Sequence, residues 1–305
     1  MILITGATGH SGSYFVKKLS EAGYSEPIKC IVRENSDISL LESSGLSIAY
    51  CRGMLEDVSF VEECMAGVDT VFHFASIHYS ETITQAALKN NVKLAVYVHT
   101  TGRFSKFKAA AEDYIRIEDW VISSGIDYII LRPTMIYGSK KDRNMYKLAD
   151  YLYKHKFFPV FGRGDNLMQP IHAKDVGVSV YKAYIAREKT INKCYNVSGK
   201  HPISYIVLLR TVARALNKRV IFLHIPYSLS LAGAYAYNCL FKNAAISVEQ
   251  VMRMNEDKAF EYVDAENDFG FCPMAFEEGI ADEAAQYLRE APAKHRGDKE
   301  GRGDQ

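Results

Sequence analysis

The chain opens with the stretch Ile2-Leu3-Ile4-Thr5-Gly6-Ala7-Thr8-Gly9-His10-Ser11-Gly12, in which an apolar run leads into three glycines spaced three residues apart. An amphipathic stretch follows, so the glycines lie at the junction of a predicted strand and a predicted helix. Glycine permits the positive φ angles of a tight turn and lets backbone approach a pyrophosphate, which binds the unpaired N–H groups of the helix N-terminus. The pattern predicts a dinucleotide site, with a purely structural turn as the alternative. The predicted contacts are Gly6, Thr8, Gly9, His10, Ser11 and Gly12.

The composition is that of a globular protein that binds small molecules. Hydrophobic residues make up 48% and charged residues 24% of the 305 residues, and 37 basic side chains balance 36 acidic ones. This balance gives no indication of a nucleic-acid partner. The apolar run begins at Ile2, which leaves no room for a signal peptide and predicts a cytoplasmic protein. The cysteines are scattered without metal-ligand spacing, which favours reduced thiols and predicts no metal site. They are Cys30, Cys51, Cys64, Cys194, Cys239 and Cys272.

Apolar runs recur through the first half of the chain and indicate buried parallel strands separated by crossover helices. The runs lie at residues 1–5, 28–32, 46–50, 68–74, 94–99 and 127–132. They predict an α/β fold of Rossmann type, a doubly wound parallel sheet with a small, mostly helical C-terminal substrate lobe, in one unit of residues 1–290. The expected boundaries are 1–135 and 168–200 for the sheet, 136–167 and 201–290 for the interleaved lobe, and 291–305 for a disordered tail.

The most apolar stretch is Tyr227–Phe241. It is shorter than the roughly 20 residues that a helix needs to cross a bilayer. Two interpretations are open: a helix packed inside the small lobe, or a helix that makes peripheral contact with a membrane surface. The second interpretation would suit a substrate that is attached to a lipid.

Further motifs follow the glycine turn in a fixed order. They are Val68-Asp69-Thr70-Val71-Phe72-His73-Phe74-Ala75-Ser76, Leu131-Arg132-Pro133-Thr134-Met135-Ile136-Tyr137-Gly138, Gln169-Pro170-Ile171-His172-Ala173-Lys174-Asp175-Val176, Tyr195-Asn196-Val197-Ser198-Gly199 and Phe269-Gly270-Phe271-Cys272-Pro273. From Met1 to about Gly279, this series resembles the extended and atypical short-chain dehydrogenase/reductases, in particular the NAD-dependent epimerase/dehydratase family. The resemblance implies an NAD(P) cofactor and a small-molecule substrate, either a sugar nucleotide or a lipid-linked sugar.

The resemblance also implies where the adenosine of the cofactor lies. Arg33 follows the second predicted strand, where a cation pairs with the 2′-phosphate of NADP and an acidic residue would instead bind the ribose hydroxyls of NAD. NADP is therefore the expected cofactor, with NAD, or an Arg33 that stacks on adenine or faces solvent, as the alternatives. Leu55, Phe74 and Ala75 are further implied cofactor contacts. Where the family often has Gly-Asp-Leu, this chain has Gly53-Met54-Leu55, so the side-chain acceptor for the adenine amino group is missing.

The largest departure from the family pattern follows the fifth predicted strand. Family members carry Ser/Thr there and then Tyr-x-x-x-Lys on a helix, in which the lysine lowers the pKa of the tyrosine for proton transfer. Phe104 and Lys108 occupy those two positions if Ala111-Glu112 sets the register. In the other register Phe104 matches an earlier tyrosine and the catalytic tyrosine is deleted. In both registers the usual proton donor is missing, whereas Lys108 keeps a role in binding the nicotinamide ribose, with a solvated lysine as the alternative.

Residues close to Phe104 are the candidates for catalysis. Thr100 and Thr101 are predicted to offer a hydroxyl to a substrate oxygen, or else to satisfy backbone groups at a strand end. His99 is predicted to act as a general acid–base near neutral pH, with a buried, hydrogen-bonded imidazole as an equal alternative. Weaker substitutes for the missing phenol are Tyr137, His78 and Tyr79.

Other motif residues are assigned from the resemblance. His172 and Asp175 match a structural turn of the family, which favours scaffolding over catalysis. Helices predicted near 81–91 and 105–123 fit the family's homodimer face. Candidate ligands for the diphosphate or sugar of a substrate are Arg143, Gln169 and Arg163.

Two functions are consistent with this sequence. The first is an NAD(P)-dependent epimerase, dehydratase or reductase that acts on a sugar nucleotide or lipid-linked sugar without the usual tyrosine. The second is a non-catalytic NAD(P)-binding sensor or scaffold. The elaborated C-terminal lobe favours the enzyme, and the missing tyrosine favours the sensor.

Overall fold

A computed structural model describes residues 1–142, 144–240 and 248–290. The strands are β1 (Ile2–Thr5), β2 (Ile28–Val32), β3 (Ile48–Arg52), β4 (Thr70–His73), β5 (Leu94–Val98), β6 (Tyr128–Pro133), β7 (Ile136–Tyr137), β8 (Phe157–Phe161), β9 (Leu167–Met168), β10 (Ile171–His172), β11 (Lys193–Val197), β12 (Ile203–Ser204) and β13 (Ile221–Ile225). The helices are α1 (His10–Glu21), α2 (Ser39–Glu42), α3 (Val58–Cys64), α4 (Ser80–Lys89), α5 (Lys108–Ser123), α6 (Met145–Lys154), α7 (Ala173–Ile185), α8 (Arg187–Thr190), α9 (Tyr205–Ala215), α10 (Tyr227–Leu240), α11 (Val248–Met254), α12 (Val263–Phe269) and α13 (Phe276–Glu290). Single 3₁₀ turns occupy Ile77–Tyr79 and Thr101–Phe104.

The first of two compact units is built on a seven-stranded sheet with the order β11-β6-β5-β4-β1-β2-β3. Each neighbouring pair is parallel. The chain starts at β1 and adds β2 and β3 on one side, then β4, β5, β6 and β11 on the other. This reversal of strand order beside β1 creates a switch point, where open α/β sheets bind ligands at the carboxyl ends of their strands. The expected doubly wound parallel sheet is confirmed.

Helices cover both faces of the sheet. On one face, α1 buries Phe15, Val16 and Leu19 completely. Helix α1 lies very close to α7, because a Cβ on Gly177 of α7 would come within 2.6 Å of the backbone nitrogen of Phe15. On the other face, buried side chains of α3, α4 and α5 form a second cluster, which includes Val121. The carboxyl edge of the strands remains the place for a site.

This first unit comprises residues 1–136, 169–200 and 259–274. The last of these segments is expected in the small lobe from the sequence, but the structure places it with the sheet. Tyr195 of β11 explains the difference, because its ring packs 5.1 Å from that of Phe269 and its hydroxyl donates to Asp268 at 2.6 Å.

The second unit comprises the described residues of 137–168, 201–258 and 275–290. Helices α6, α9 and α13 pack together in it. Strand β8 pairs in parallel with β13, and β9 pairs antiparallel with β12. The apolar stretch forms α10, and within the described part of the chain no helix is long and apolar enough to cross a membrane. The expected tail, 291–305, lies outside the described residues.

Candidate dinucleotide and substrate site

The glycine turn joins β1 to α1. Gly6 has a φ of +73°, which favours glycine, and its carbonyl accepts the N–H of Gly9 at 2.8 Å. Helix α1 begins after Gly9 without a side-chain cap and without an acidic residue in its first turn. A helix N-terminus that lacks these groups attracts an anion through its backbone N–H groups and its dipole.

The turn has no space for side chains at its glycines. A Cβ on Gly6 would lie 2.8 Å from the nitrogen of Ala75, and one on Gly12 would lie 2.2 Å from the carbonyl oxygen of Gly6. The turn therefore packs directly on Phe74 and Ala75, which follow β4. Phe74 also packs its ring 5.1 Å from that of Phe15. Backbone amides at this junction form a cradle that fits the pyrophosphate of a dinucleotide.

Two arginines follow neighbouring strands beside the turn. Arg33 is exposed directly after β2, and Arg52 ends β3, where it pairs in register with Val32 and donates to the carbonyl of Glu34 at 3.0 Å. The sequence predicts that Arg33 lies near the adenosine of a bound dinucleotide, and it gives no such prediction for Arg52. The signal for Arg52 is the same as for Arg33: a cation at the carboxyl end of a strand.

Tyr79 belongs to the same region. Its hydroxyl donates a short hydrogen bond to Glu56, which raises the pKa of the phenol and lowers that of the carboxyl. Tyr79 is thus held by an acceptor and is a poor substitute for a catalytic acid. Leu55 packs against the cluster under α3.

The two threonines after β5 have different surroundings. Thr101 is buried, and its hydroxyl donates to the carbonyl of Pro133 at 3.2 Å. Thr100 is half-buried, and its hydroxyl accepts the N–H of Gly102 at 3.0 Å. A hydroxyl that accepts still has a proton to donate, and no acceptor for that proton lies among the described residues. Thr100 is therefore available to a substrate oxygen, and Thr101 is not.

His99 lies in a buried network. Its Nε2 is 3.1 Å from the hydroxyl of Ser80, and its Nδ1 is 2.9 Å from Glu118. A neutral ring satisfies both contacts when Nδ1–H donates to the carboxylate and Nε2 accepts from Ser80. Burial lowers the pKa of His99 despite the carboxylate beside it. Both nitrogens are engaged and the side chain is inaccessible, so the geometry favours the structural alternative over an acid–base role.

Glu118 is the centre of that network. Burial alone would raise its pKa, but hydrogen bonds from His99 and Arg132 lower it to about 2. Arg132 donates from Nε at 2.9 Å and from Nη2 at 2.5 Å, and Arg103 donates a further short bond. Two guanidinium groups around one buried carboxylate fix the segment after β5 to β6 and α5.

Phe104 is the residue that stands at the position of the family's catalytic tyrosine in one of the two registers. Its ring lies 5.6 Å from that of Phe260, and the guanidinium groups of Arg132 and Arg103 lie 5.3 and 5.8 Å from its centroid. Phe104 is 43% exposed, so it borders solvent-accessible space without a proton to give. Lys108 begins α5, but its side chain lies outside what the structure describes.

Tyr114 of α5 was missed in the sequence. A Cβ on Gly102 would lie 3.0 Å from the Tyr114 ring and 3.2 Å from the Thr100 hydroxyl, so these side chains border one glycine. The Tyr114 ring is also 6.0 Å from that of His78, whose Nδ1 is 3.1 Å from Asp113. The signal in the sequence is a tyrosine on the inward stripe of the helix that starts near the expected Tyr-x-x-x-Lys.

Other candidates are structural or lie elsewhere. Gln169 is buried, donates to the carbonyl of Gly199 and accepts from the N–H of Phe260, which favours a structural role over substrate binding. His172 caps α7 by accepting from Lys174, and Asp175 accepts from Met274. The buried Tyr137 lies 3.5 Å from the carbonyl of Phe276 in the second unit. Arg143 lies outside the described residues.

Arg163 borders a cavity of about 690 Å³ in the second unit, with Asp165, His224, Tyr227 and Asn255 among its lining residues. This volume falls within the range of roughly 300–1,000 Å³ that small-molecule pockets occupy.

The chain is similar to known proteins along most of its length. Residues 6–156 match a family described as NAD(P)H-binding. The chain is 22% identical over 276 residues to the N-acetyl-alpha-D-glucosaminyl-diphospho-ditrans,octacis-undecaprenol 4-epimerase of Escherichia coli O157:H7, covering 77% of this chain and 82% of that protein. It is 26% identical over 231 residues to the NAD(P)H azoreductase of Xenophilus azovorans, covering 72% and 75%.

In structure, the chain resembles the UDP-glucuronic acid 4-epimerase of Bacillus cereus, which was crystallised with UDP-glucuronic acid and NAD. The TM-score is 0.71 at 15% identity, over 94% of this chain and 99% of that one. A similarity at this identity establishes a shared fold. The chain therefore contains an NAD(P)H-binding Rossmann domain, and it shares its fold with proteins such as this 4-epimerase.

Proposed function

We propose that this protein is an NAD(P)-dependent enzyme of the epimerase, dehydratase or reductase type that acts on a sugar linked to a nucleotide or a lipid. One observation carries the proposal: the glycine turn and the available Thr100 hydroxyl lie at the carboxyl ends of β1 and β5, in one parallel sheet. Only β4 separates these strands, so the two features are about 10 Å apart along the sheet edge. The similarity to a lipid-linked sugar epimerase, which extends over 77% of this chain, supports the substrate class.

In this proposal NADP is the preferred cofactor, and NAD is the alternative. Arg33 and Arg52 support the preference because they place two cations at the ends of adjacent strands, and no carboxylate directly follows β2. A 2′-phosphate would gain charge-assisted hydrogen bonds there. Backbone groups of the glycine turn would hold the pyrophosphate.

The acid–base work falls on hydroxyls other than the usual phenol. When bound, the nicotinamide supplies or accepts a hydride at a substrate carbon. Thr100 donates a hydrogen bond to the oxygen on that carbon, and the Tyr114 hydroxyl, which has no hydrogen-bond partner among the described residues, is the group that holds or moves the proton.

Two further assignments belong to the same proposal. The side chains of Leu88, Ile115 and Ile122 are exposed on α4 and α5, which supports a homodimer face on these helices. The free thiols among the described cysteines, including Cys51 and Cys272, support a reducing, cytoplasmic compartment.

The test begins with native mass spectrometry of the purified protein, in which we expect a co-purifying dinucleotide. The protein is then incubated with NAD(P) and a panel of sugar nucleotides and lipid-linked sugars, and product stereochemistry is followed by NMR, because an epimerase leaves no net change in cofactor absorbance. Turnover should fall about 10²–10⁴-fold in Tyr114→Phe if the phenol is the acid–base. Tyr128→Phe, at the N-terminal end of β6, is the matched control and should keep full turnover. A Tyr114→Phe variant with full turnover would remove the phenol from the mechanism.

The second candidate function is a dinucleotide sensor without turnover. It is favoured by Phe104, which sits at the expected proton donor and is fixed by Phe260 and two arginines. A sensor would bind NADP and NADPH with unequal affinity, turn over no substrate of the panel, and gain no activity in Phe104→Tyr.

A further inference from the structure

The short sheet of the second unit exposes an apolar face. Strands β8 and β13 pair with Phe157 opposite Ile221 and Pro159 opposite Leu223. Because side chains alternate along a strand, these four residues share one face. Phe157, Ile221 and Leu223 are 52%, 56% and 49% exposed. We call these four residues the β8–β13 face.

The opposite face of the same two strands is already packed. Val160 is completely buried, and the Phe158 ring lies 5.4 Å from Tyr151 and 6.3 Å from Phe222. A sheet face that is open to solvent normally carries polar side chains, whereas parallel strands with apolar side chains are normally covered on both faces. Here both faces are apolar, and a contiguous exposed apolar patch of this kind marks an interaction surface.

The helix that follows β13 continues this character. Helix α10 starts at Tyr227 after a single proline, contains no charged residue, and exposes Leu229 and Tyr235 by 61% and 66%. Its 14 described residues are fewer than the roughly 20 that a helix needs to span a bilayer. A helix of this length and composition is suited to lie at an interface.

The charge of the chain segment that contains β13 and α10 is one-sided. From His201 to Val248 the chain contains no Asp or Glu and five Lys or Arg residues, although the whole chain has a formal net charge of only +1. Lys156 and Arg219 are exposed just before β8 and β13, and the bond from the Ile221 N–H to the Lys156 carbonyl, at 2.8 Å, holds the two strand starts together. The apolar face therefore has a cationic edge.

We propose that the β8–β13 face, together with α10, docks on the surface of an anionic lipid bilayer, with Lys156 and Arg219 on the phosphate headgroups. A second copy of this chain fits the face less well, because a symmetric contact would bring the cationic edges of two copies together. Docking deepens the proposed function, and one consequence rests on that function. Of the two proposed substrate classes, the sugar is attached to a membrane lipid rather than to a soluble nucleotide.

The full-length protein is tested by flotation with phosphatidylcholine vesicles that contain or lack one-quarter phosphatidylglycerol, at 50 and 500 mM NaCl, without cofactor or substrate. We expect binding to the anionic vesicles and its loss at high salt. The partition coefficient of the Ile221→Ser/Leu223→Ser variant onto anionic vesicles should fall at least about tenfold, because two apolar side chains that would be buried at the membrane interface are removed. The Lys156→Gln/Arg219→Gln variant should lose about fivefold for each cation removed.

Matched controls are Leu40→Ser, which removes an apolar side chain 48% exposed in the first unit, and Lys17→Gln/Lys174→Gln, which removes two exposed cations there. Both control variants should bind vesicles like the wild type, and circular dichroism should show that every variant is folded. No binding of the wild type to anionic vesicles at 50 mM NaCl, or equal binding of the face variants, overturns the inference. So does a wild-type dimer in sedimentation that Ile221→Ser/Leu223→Ser converts to monomer. Because no substrate is present, these results are independent of turnover on the sugar panel, which judges the proposed function.

Discussion

The Gly6–Gly12 turn and the Thr100–Phe104 segment lie at the same edge of one sheet, yet they differ in what they retain. The turn keeps every glycine that the dinucleotide-binding pattern requires, with a positive φ at Gly6 and no space for a Cβ at Gly12. The second segment contains Phe104, which stands where the proton donor is expected in one register of the family pattern. Most of its polar groups are satisfied from within the protein.

The difference teaches that binding and proton transfer are separable in this fold. The turn binds a dinucleotide with backbone groups, so few substitutions of its glycines are tolerated. Proton transfer depends on one side chain, and the buried Glu118 network fixes the segment without a contribution from such a side chain. Thr100 is the exception within the segment, because its hydroxyl keeps a proton to donate.

The largest expected effect is on the turn. Gly9→Val should weaken dinucleotide binding at least about 100-fold, or about 2.7 kcal/mol, because a side chain enters the space that the pyrophosphate needs. Its Cβ would also lie 2.9 Å from the carbonyl oxygen of Gly6, so the turn must shift. Calorimetry with NADPH and NADH measures the loss, and a cooperative thermal transition shows that the variant folds. Gly233→Val, at a helix position with nothing within 4 Å, is the control and should bind normally. A folded Gly9→Val variant with unchanged affinity would contradict the assignment.

The next effect separates the two threonines. Thr100→Val should lower kcat about 10²–10³-fold, the usual cost of removing one donor to a developing oxyanion. Thr101→Val should leave kcat nearly unchanged and lower the free energy of unfolding by about 1–3 kcal/mol, because it leaves the buried Pro133 carbonyl without its donor. Thr100→Ser should restore most of the activity. Turnover on the sugar panel and urea unfolding give the two readouts, and the reverse pattern would transfer the catalytic role to Thr101.

A smaller effect is expected at the adenosine end. Arg33→Ala should weaken NADPH by about 1.5–3 kcal/mol, the range for a hydrogen bond to a charged group, and leave NADH almost unaffected. Lys17→Ala, which removes an exposed cation from α1, controls for the change in net charge. Calorimetric titration measures the affinity of each variant for NADPH and for NADH. Equal losses would mean that Arg33 stacks on adenine, and the preference for NADP would fall.

The local features of the first unit were predictable from the sequence. Buried parallel strands appear as continuous apolar runs, and the glycine spacing locates the first strand-to-helix junction. The third apolar run spans 46–50, whereas β3 spans Ile48–Arg52, because β3 is only partly buried and ends on the charged Arg52. The position of Val263–Phe269 was not predictable, since Tyr195 and Asp268 are 73 residues apart and only the fold brings them together.

The candidate site was predictable for backbone contacts but not for side-chain availability. Whether a Thr or His is free depends on partners from other elements, as with His99, which meets Ser80 of α4 and Glu118 of α5. One signal was present: Glu118 and Tyr114 both lie on the inward stripe of α5 with Ile117 and Val121. A carboxylate in an apolar stripe indicates a buried ion network, because it needs partners there.

The smallest expected effect compares the histidines behind the two regions. His73 lies behind the turn, where its Nδ1 is 2.7 Å from the Thr5 hydroxyl and its Nε2 is 3.0 Å from the carbonyl of Ser76. Burial and repulsion from His99 lower its pKa to about 3.

The unfolded chain binds a proton at His73 below about pH 6.5, whereas the folded chain does not bind it until about pH 3. The contribution of the neutral His73 to the free energy of unfolding is therefore complete above pH 6.5 and is lost as the pH falls. The loss is about 1.4 kcal/mol per pH unit, so the wild type should lose about 2 kcal/mol more than His73→Gln between pH 6.5 and 5. Urea unfolding of both proteins is measured over that pH interval, which lies above the range in which Glu118 titrates. Subtracting one stability curve from the other cancels the contributions of the titratable groups that both proteins share. Parallel curves would mean that His73 is protonated in the fold, and the turn would then rest on a charged rather than a neutral ring.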